Sequence, residues 1–379
     1  MSESMEESAP ETIGILDRLR PATSAVLVPV LAVLTALLLG ALIIIIAGGN
    51  PIAAYFGLFE GAVGSAKALS ETTVWATPYI FAGLAVALAF KGGLFNIGAE
   101  GQLAFGAVAA AWVGYALPDV LGLALPTVLH IPLAVGAGML AGAAWGAIPG
   151  WLKARTGGHE VINTIMMNYI ALNLTSFLLN GPMKDPNPLN VVARTPGIAE
   201  SARVPPVFSG LRLHWGFILS LLAAGLVWAV LWKTTLGFEI RTAGANPDAA
   251  RYAGVNVRRT IVVSMALSGL LAGLAGAIEV TALNYRHELG FSVGYGFDAI
   301  AIALLGKTHP LGVVLAALLF AAMRNGATRM QFLTQIPVDV ISVIQALILL
   351  FVAADAIIRW IYRIRAREER LVLTRGWGG

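Results

Sequence analysis

The chain of 379 residues contains no cysteine and few charged residues. Without cysteine there is no disulfide bond, no thiol nucleophile and no thiolate metal site. Charged residues make up only 12% of the sequence, and 58% of the residues are hydrophobic. An average soluble domain is roughly 25% charged. These proportions exclude an ordinary soluble domain and predict a polytopic membrane protein.

Motifs for catalysis and for metal binding are also missing. The five histidines are scattered and show no ligand spacing such as H-E-x-x-H. No Ser/His/Asp order, paired-carboxylate motif or cofactor fingerprint occurs. We therefore expect no catalytic residue, no metal and no cofactor in this chain. The net charge of +4 does not indicate nucleic acid, because six arginines cluster between Arg359 and Arg375, at the end of the last apolar run and after it. The positive-inside rule explains such a cluster.

The apolar runs predict an all-α protein with about ten transmembrane helices, some of them short or broken. A membrane core about 30 Å thick needs roughly 20 helical residues for each crossing. The candidate spans are 24–47, 73–90, 102–117, 129–149, 160–180, 214–232, 260–283, 293–306, 309–323 and 336–361.

This count of spans predicts the organisation of the chain. Residues 1–23 form a cytoplasmic N-terminal segment, residues 24–361 the transmembrane domain, and residues 362–379 a basic cytoplasmic tail. With both termini inside, the loop 237–259 is cytoplasmic and the proline-rich loop 181–213 is extracytoplasmic. Both loops carry similar numbers of basic residues, so charge alone does not fix the orientation.

The polar stretch 244–254 reads as a short helix with both ends encoded. Asn246 can cap the first turn, Pro247 fits the first helical position, and Asp248 complements the positive helix end. Gly254 suits a left-handed stop. A helix this short is not stable alone in water, so its flanking spans or a partner surface must hold it. The alternative is a solvated loop between two spans.

A second polar stretch, 91–103, interrupts continuous apolar sequence with four glycines. Broken backbone at membrane depth occurs only where protein buries it or water reaches it, and polar groups there mark a substrate path. Asn96, Glu100 and Gln102 are the candidates for that path. The alternative is a cytoplasmic turn in which these residues cap helices.

Polar residues in later spans extend the candidate path. Asn163 and Asn168 could bind sugar hydroxyls or base edges, or could hydrogen-bond neighbouring helices. Asp298 lies in a glycine-rich region that follows Glu279 and Asn284 and resembles the Asn96 region. An internal repeat is one interpretation of that likeness.

The fourth predicted span carries glycines at every fourth position, which predicts close helix packing. These glycines are Gly138, Gly142, Gly146 and Gly150.

Four motifs carry a resemblance to a known family. The run Gly93-Leu94-Phe95-Asn96-Ile97-Gly98-Ala99-Glu100-Gly101-Gln102-Leu103 resembles a signature of the permeases in nucleoside and simple-sugar ABC importers that work with BMP-type binding lipoproteins. The stretches 158–169 and 294–306 also resemble that family. Asp248, Ala249 and Ala250, followed by Gly254, resemble the EAA-x-x-x-G coupling loop of importer permeases, with Asp in place of Glu.

The resemblance implies a permease subunit of a bacterial inner-membrane importer, whose substrate is a nucleoside or, second, a neutral simple sugar. It implies three partners: an ATP-binding subunit that carries the ATP, a second related permease and an extracytoplasmic binding lipoprotein. Membrane lipids surround the chain. The residues expected to couple to the ATPase are Asn246, Asp248, Ala249, Ala250, Arg251 and Gly254.

Two other classes of protein remain open at this point. An ion-coupled secondary transporter could use membrane carboxylates, and Glu100, Glu279 and Asp298 are available for that role. A passive channel would explain the glycine-rich breaks. Neither class needs a capped cytoplasmic helix at Asp248, and a requirement for ATP in uptake separates both from the importer.

Overall fold

A computed structural model describes residues 15–187, 192–292 and 294–363. Most of the predicted N-terminal segment and nearly all of the predicted basic tail therefore lie outside the described residues. The described residues form two compact units, one within residues 15–43 and 342–363 and the other within residues 44–341. The described part is helical and contains two isolated β-bridges but no strand.

The helices are α1 (Ile15–Ile46), α2 (Pro51–Val63), α3 (Ala66–Lys91), α4 (Ala99–Asp119), α5 (Thr127–Thr156), α6 (Glu160–Asn180), α7 (Trp215–Lys233), α8 (Thr235–Ala245), α9 (Pro247–Tyr252), α10 (Val257–Ile278), α11 (Tyr295–Leu305), α12 (Pro310–Thr334), α13 (Asp339–Ala353) and α14 (Asp355–Ile361). A π-helical turn, Glu279–Asn284, continues α10.

Seven helices of the described part are long and apolar enough to cross a membrane. They are α1, α3, α5, α6, α7, α10 with its π-helical turn, and α12. Three further apolar helices are shorter, namely α2, α11 and α13. The prediction of an all-α polytopic protein with some short helices is confirmed.

The helix α12 is longer than the predicted span 309–323, which ended where Arg324, Asn325 and Arg329 interrupt the apolar run. The structure provides partners for these side chains. Asn325 Nδ2 donates to the carbonyl oxygens of Gly61 and Ala68, at 3.0 and 2.9 Å, and Arg329 pairs with Glu60. The helix continues because its polar groups are satisfied by neighbours that are distant in sequence.

Two more elements differ from the predicted spans. The helix α2, which no predicted span covered, packs along α12 through Gly57 and Gly61: a Cβ added at Gly61 would lie 2.5 Å from Cβ of Arg329. The predicted span 336–361 is divided into α13 and α14, because Ala354 leaves the helical region with φ −99° and ψ 57°. In the same unit, the Thr35 and Tyr362 hydroxyls lie 2.9 Å apart.

The glycines of α5 allow the close helix packing that their four-residue spacing predicted. A Cβ added at Gly142 would lie 2.3 Å from the carbonyl oxygen of Gly269, and one at Gly138 would lie 2.6 Å from Cβ of Ala277. Such distances are impossible for a real side chain, so α5 and α10 touch backbone to backbone. Close approach of this kind is typical of membrane helices that carry small residues every fourth position.

The two ends of α10 define two ends of the larger unit. The segment α8–α9 precedes the first residue of α10, and Ala250 packs with Val257 there. The loop 192–213 contacts the other end, where the amides of Ile198 and Val204 donate to the carbonyl oxygens of Tyr285 and Thr281. The predicted coupling loop and the predicted extracytoplasmic loop therefore lie at opposite ends of the same helix.

Candidate functional site

The break between α3 and α4, residues 92–98, lies deep along α10 rather than at its end. The Asn96 Nδ2 group donates to Ser268 Oγ at 2.8 Å. Ser268 is 11 residues beyond Val257, the first residue of α10, which corresponds to about 16 Å along the axis. The continuous helix from Val257 to Asn284 has 28 residues, so the break lies near its middle. This depth favours a buried break over a turn at the membrane surface.

Asn96 and Gln102 form an amide pair that closes the break. Asn96 Nδ2 donates to Gln102 Oε1 at 2.9 Å, and Gln102 Nε2 donates back to Asn96 Oδ1 at 3.2 Å. Asn96 Oδ1 also accepts from the Gly98 amide at 2.9 Å. Asn96 is fully buried, and every donor and acceptor of its side chain has a partner. In this conformation the pair fixes the backbone of the break and faces neither of the cavities described below.

Asn168 caps the start of α4 from the neighbouring helix α6. Its Oδ1 accepts from the Gly101 amide at 2.8 Å, and its Nδ2 donates to the Ile97 carbonyl at 2.9 Å. Asn163 is half-buried in the first turn of α6. Five residues separate the two asparagines, which turns their side chains to different faces of the helix. The structure therefore brings Asn168 to the break and leaves Asn163 apart from it.

Glu100 joins the break to the start of α11. Its Oε2 accepts from the Gly296 amide at 2.7 Å, and its Oε1 accepts from the Ser292 hydroxyl. A Cβ added at Gly296 would lie 2.2 Å from the Glu100 amide nitrogen, so the first turns of α4 and α11 touch. The positive end of α11 stabilises the carboxylate. The two glycine-rich regions that the sequence suggested as related thus meet in space, while their origin as a repeat stays a prediction.

Asp298 lies one turn further along α11 and binds Tyr79 of α3. The Tyr79 hydroxyl donates to Asp298 Oδ2 at 2.8 Å. The Tyr79 ring also makes edge contacts with Tyr295, with 5.2 Å between the centroids. Sequence reasoning did not select Tyr79 or Ser268, because one tyrosine or serine within an apolar run gives no signal of its own. Only the fold shows that they complete the polar network.

A cavity of ≈ 210 Å³ lies between the network and the end of α10 that faces away from α9. Its floor carries Glu279, which is 4% exposed, and its mouth carries Asn284 and the ion pair between Arg212 and Glu71. Its lining also includes Trp75, Phe291 and Tyr295. The cavity thus combines aromatic walls with one buried carboxyl group. A second, smaller cavity of ≈ 50 Å³ borders Glu100 and His287.

At the other end of the unit, α9 has the ends that the sequence predicted. Asn246 Oδ1 accepts from the amides of Asp248 and Ala249, both at 3.0 Å, and Pro247 is the first helical residue. Gly254 is left-handed, with φ +84°. These features confirm the predicted caps, although the helix itself is only six residues long.

The side chains of α9 divide into a buried and an exposed set. Ala250 is 2% exposed and packs inside the chain with Ala243 and Val257. Asp248 and Arg251 form an exposed ion pair at 2.8 Å, and Ala249 is also exposed. Ala250 therefore positions the helix, while its neighbours are free to meet another surface.

The segment α8–α9 touches the break itself. A Cβ added at Gly244, near the end of α8, would lie 2.2 Å from the Lys91 carbonyl oxygen and 2.7 Å from the Gly93 amide nitrogen. Gly93 needs the flexibility of glycine, because its φ is +68°. A displacement of α8 would therefore press directly on residues 91–93, three positions before Asn96.

An all-α membrane protein with a broken polar helix pair at its centre and a short capped helix at one end has the architecture of a transport permease. The family model of the permease component of branched-chain amino acid transport systems matches residues 68–353. The chain belongs to this permease family. It is a multi-pass membrane protein of an ABC transport system and a translocation component rather than an enzyme.

Several curated relatives cover almost the whole chain. The guanosine ABC transporter permease NupP of Bacillus subtilis is 44% identical over 344 residues, which is 89% of this chain and 96% of the relative. The nucleoside ABC transporter permease NupB of Lactococcus lactis is 39% identical, over 89% and 93% of the two chains. The glucose ABC transporter permease TsgB13 of Haloferax volcanii is 36% identical, over 92% of each. No solved structure matches the chain.

Proposed function

We propose that this chain imports nucleosides as the permease subunit of an ATP-driven ABC importer. The similarity to NupP and NupB, at 44% and 39% identity over nine tenths of the chain, carries this proposal. The relative TsgB13, at 36% identity, keeps a neutral sugar as the second candidate. The larger cavity favours the nucleoside, because partly exposed aromatic side chains such as Trp75 and Phe291 can stack on a base.

The proposal includes three partner proteins. An ATP-binding subunit carries the ATP and docks on α9, where Asp248, Ala249 and Arg251 are exposed. A second related permease completes the pore. Bacillus subtilis has two guanosine permeases among the relatives of this chain, NupP and NupQ. NupQ is 30% identical to this chain over 66% of the length of this chain. A binding lipoprotein delivers the substrate at the loop 181–213.

These partners fix the orientation that we propose. With α9 at the ATPase, the start of α10 is cytoplasmic and the larger cavity opens to the outside of a bacterial inner membrane. Both chain termini are then cytoplasmic. The basic residues that follow the last span agree with this orientation.

An ion-coupled transporter is less well supported, because it would need a membrane carboxylate that is free to exchange a proton. Glu100 accepts hydrogen bonds on both oxygens and Asp298 binds Tyr79. Glu279 is the remaining candidate, and its cavity serves substrate binding equally well. Uptake that persists after ATP is depleted, while an ion gradient is maintained, would favour the ion-coupled transporter.

Competition in cells that express the complete transporter tests the substrate. We expect excess guanosine, adenosine, uridine or cytidine to reduce the uptake of a labelled nucleoside, and ribose or glucose to leave it unchanged. Loss of uptake with excess sugar alone would overturn the nucleoside assignment and leave the importer assignment standing.

A further inference from the structure

The larger cavity carries a specific pattern of hydrogen-bonding groups. Glu279 is buried at the floor, and the one hydrogen bond of its carboxyl group within the described residues comes from Asn284 Nδ2 at a long 3.4 Å. Burial by itself favours the neutral carboxyl group, whereas two adjacent N–H donors of a ligand favour the ionised carboxylate, which has only acceptor oxygens. The single long bond from Asn284 leaves most of that acceptor capacity unused. To a ligand with two adjacent donors the cavity therefore offers two acceptors side by side on one carboxyl group, and next to them the amide donor of Asn284.

The remaining walls suit a flat ring. Trp75 and Tyr295 are both in the lining, with their ring centroids 6.1 Å apart and their planes inclined at 62°. Phe291 contributes a third aromatic face. The Arg324 guanidinium lies 5.7 Å from the centre of the Trp75 ring and holds that ring in place. Rigid aromatic faces of this kind can stack on any nucleic-acid base, because every base has a flat π-face.

From this geometry we infer that the cavity is a guanine-binding vestibule in which Glu279 reads the hydrogen-bonding edge of the base. The inference rests on the proposed function and narrows its substrate class. Guanine presents N1–H and N2–H as adjacent donors, which pair with the two oxygens of one carboxylate, and its O6 accepts from the Asn284 amide. A carboxylate with two parallel donors forms one of the stronger bidentate contacts.

The other bases fit this pattern less completely and would not make the bidentate contact with a carboxylate. Adenine and cytosine place a ring nitrogen acceptor beside their exocyclic amino group, so they would pair with the neutral carboxyl group rather than with the carboxylate. Uracil has one N–H between two carbonyl oxygens, which would also repel the carboxylate. Hypoxanthine, the base of inosine, keeps N1–H and O6 of guanine but lacks the 2-amino group. Inosine is therefore the most closely matched probe for the role of Glu279.

The position of the cavity gives the vestibule its place in transport. Tyr295 lines the cavity and is only 4% exposed, and its ring contacts Tyr79, which holds Asp298. The next residue, Gly296, binds Glu100 in the central break. A base in the cavity would thus touch the edge of Tyr295 and, through it, the first turn of α11, which is joined to the break. Arg212 and Glu71 pair across the mouth and would have to part as the ribose passes.

The first experiment compares guanosine with inosine. The complete complex is reconstituted in proteoliposomes, and the binding protein is saturated with either nucleoside so that its own affinity does not set the rate. We expect the wild type to transport guanosine at least about fivefold more efficiently than inosine, as one bidentate base contact provides. Glu279→Gln should bring the ratio of guanosine to inosine transport close to one. The NH2 group of the glutamine would face an N–H donor of guanine, so the bidentate contact is lost. Glu60→Gln, which breaks an ion pair outside the cavity, should keep the wild-type ratio.

The outcomes separate the inference from the proposed function. Equal transport of both nucleosides by the wild type, or an unchanged ratio in Glu279→Gln, overturns the vestibule and leaves nucleoside import intact. Absence of transport of any nucleoside by the wild type overturns both. The ratio of guanosine to inosine transport does not depend on how many transporters assemble. A lower yield of the variant therefore does not change the conclusion.

The second experiment does not use a variant. The wild-type complex is irradiated with 8-azidoguanosine, and the labelled peptides are identified by mass spectrometry. We expect label on the peptides that contain Trp75, Asn284 or Tyr295, with protection by guanosine that exceeds protection by inosine. Label confined to other peptides of this chain would overturn the vestibule even if Glu279→Gln failed to fold.

Discussion

Asn96 holds the central break through four hydrogen bonds, to Gly98, to Ser268 and twice with Gln102. Each partner is buried, so none of them can turn to water if Asn96 is removed. Stranding a buried polar group costs roughly 1–3 kcal/mol. At this residue the chemistry that sequence reasoning assigned to a substrate path also serves to keep an irregular backbone folded.

We therefore expect Asn96→Leu to lower the free energy of unfolding by at least about 2 kcal/mol. The melting temperature of the purified chain in detergent measures this loss. Asn173→Leu is the matched control, since Asn173 is exposed on α6 and its side chain donates only to the Tyr169 carbonyl of the same helix. Equal melting temperatures for the two variants would contradict a structural role for Asn96.

The buried imidazole of His287 should make the folded protein less stable at acidic pH. It lies after the end of α10, is 1% exposed, and neither ring nitrogen has a hydrogen-bond partner within the described residues. Burial lowers the pKa of His287 to about 3. The unfolded chain has a His pKa of about 6.5 and takes up the proton first, so stability declines as the pH falls below that value. Between pH 7 and pH 5 the loss is about 2 kcal/mol.

The measurement is the change in melting temperature between pH 7 and pH 5. We expect this change to be smaller in His287→Gln than in the wild type, because glutamine does not titrate. His159→Gln removes an exposed histidine and should leave the change as it is in the wild type. His214, whose pKa burial lowers to about 4, contributes a second part of similar size over this pH range, so His287→Gln removes only part of the change. An identical change in wild type and His287→Gln would contradict the prediction.

At the scale of helices, the contact between α5 and α10 depends on residues without side chains. The same helix α5 carries Gly136, where an added Cβ would meet nothing within 4 Å, and Gly142, where it would meet the Gly269 carbonyl at 2.3 Å. The two glycines thus separate the intrinsic cost of replacing glycine from the cost of pushing two helices apart.

We expect Gly142→Leu to destabilise the protein by more than about 3 kcal/mol, since overpacking costs roughly 1–3 kcal/mol even where side chains can move and here the obstacle is backbone. Gly136→Leu should be neutral or slightly stabilising, because leucine favours helix over glycine. Yield of monodisperse protein in size-exclusion chromatography and the melting temperature report the difference. Similar behaviour of both variants would show that the close contact is not needed.

At the scale of the whole molecule, α10 links the end that we assign to the ATPase with the end that carries the cavity. The exposed surface of α9 includes Tyr252, which is 97% exposed and is the last residue of the helix. An aromatic side chain that its own chain leaves almost fully exposed suits a surface that meets a partner. Phe208, exposed in the loop 192–213, offers a comparable aromatic side chain at the opposite end.

We expect Tyr252→Ala to reduce copurification of the ATPase and nucleoside uptake at least about fivefold, while the melting temperature of the isolated chain stays unchanged. Phe208→Ala should leave copurification at the wild-type level. Undiminished binding of the ATPase to Tyr252→Ala would contradict docking at the end of α9.

Patterns along the chain were enough to predict the class of this protein, the existence of most helices, and the short helix at Asp248. Hydropathy decides whether a segment enters a membrane, and the caps of α9 are local, so both can be read along the chain. The glycines of α5 likewise predicted a close contact, although not with which helix. The absence of cysteine already excluded disulfide bonds, thiol nucleophiles and thiolate metal sites, and the histidines lack the spacing of metal ligands.

Which polar residues act together depends instead on the packing of helices that are distant in sequence. Asn325 continues α12 because it reaches α2 and α3, and Asn163 and Asn168 separate because they leave α6 in different directions. Glu100 meets Gly296 across 196 positions of sequence, and Ser268 meets Asn96 across 172. A hydrogen bond depends on the position of both partners within tenths of an ångström, and packing of distant helices sets that position. Local sequence patterns carry no record of it.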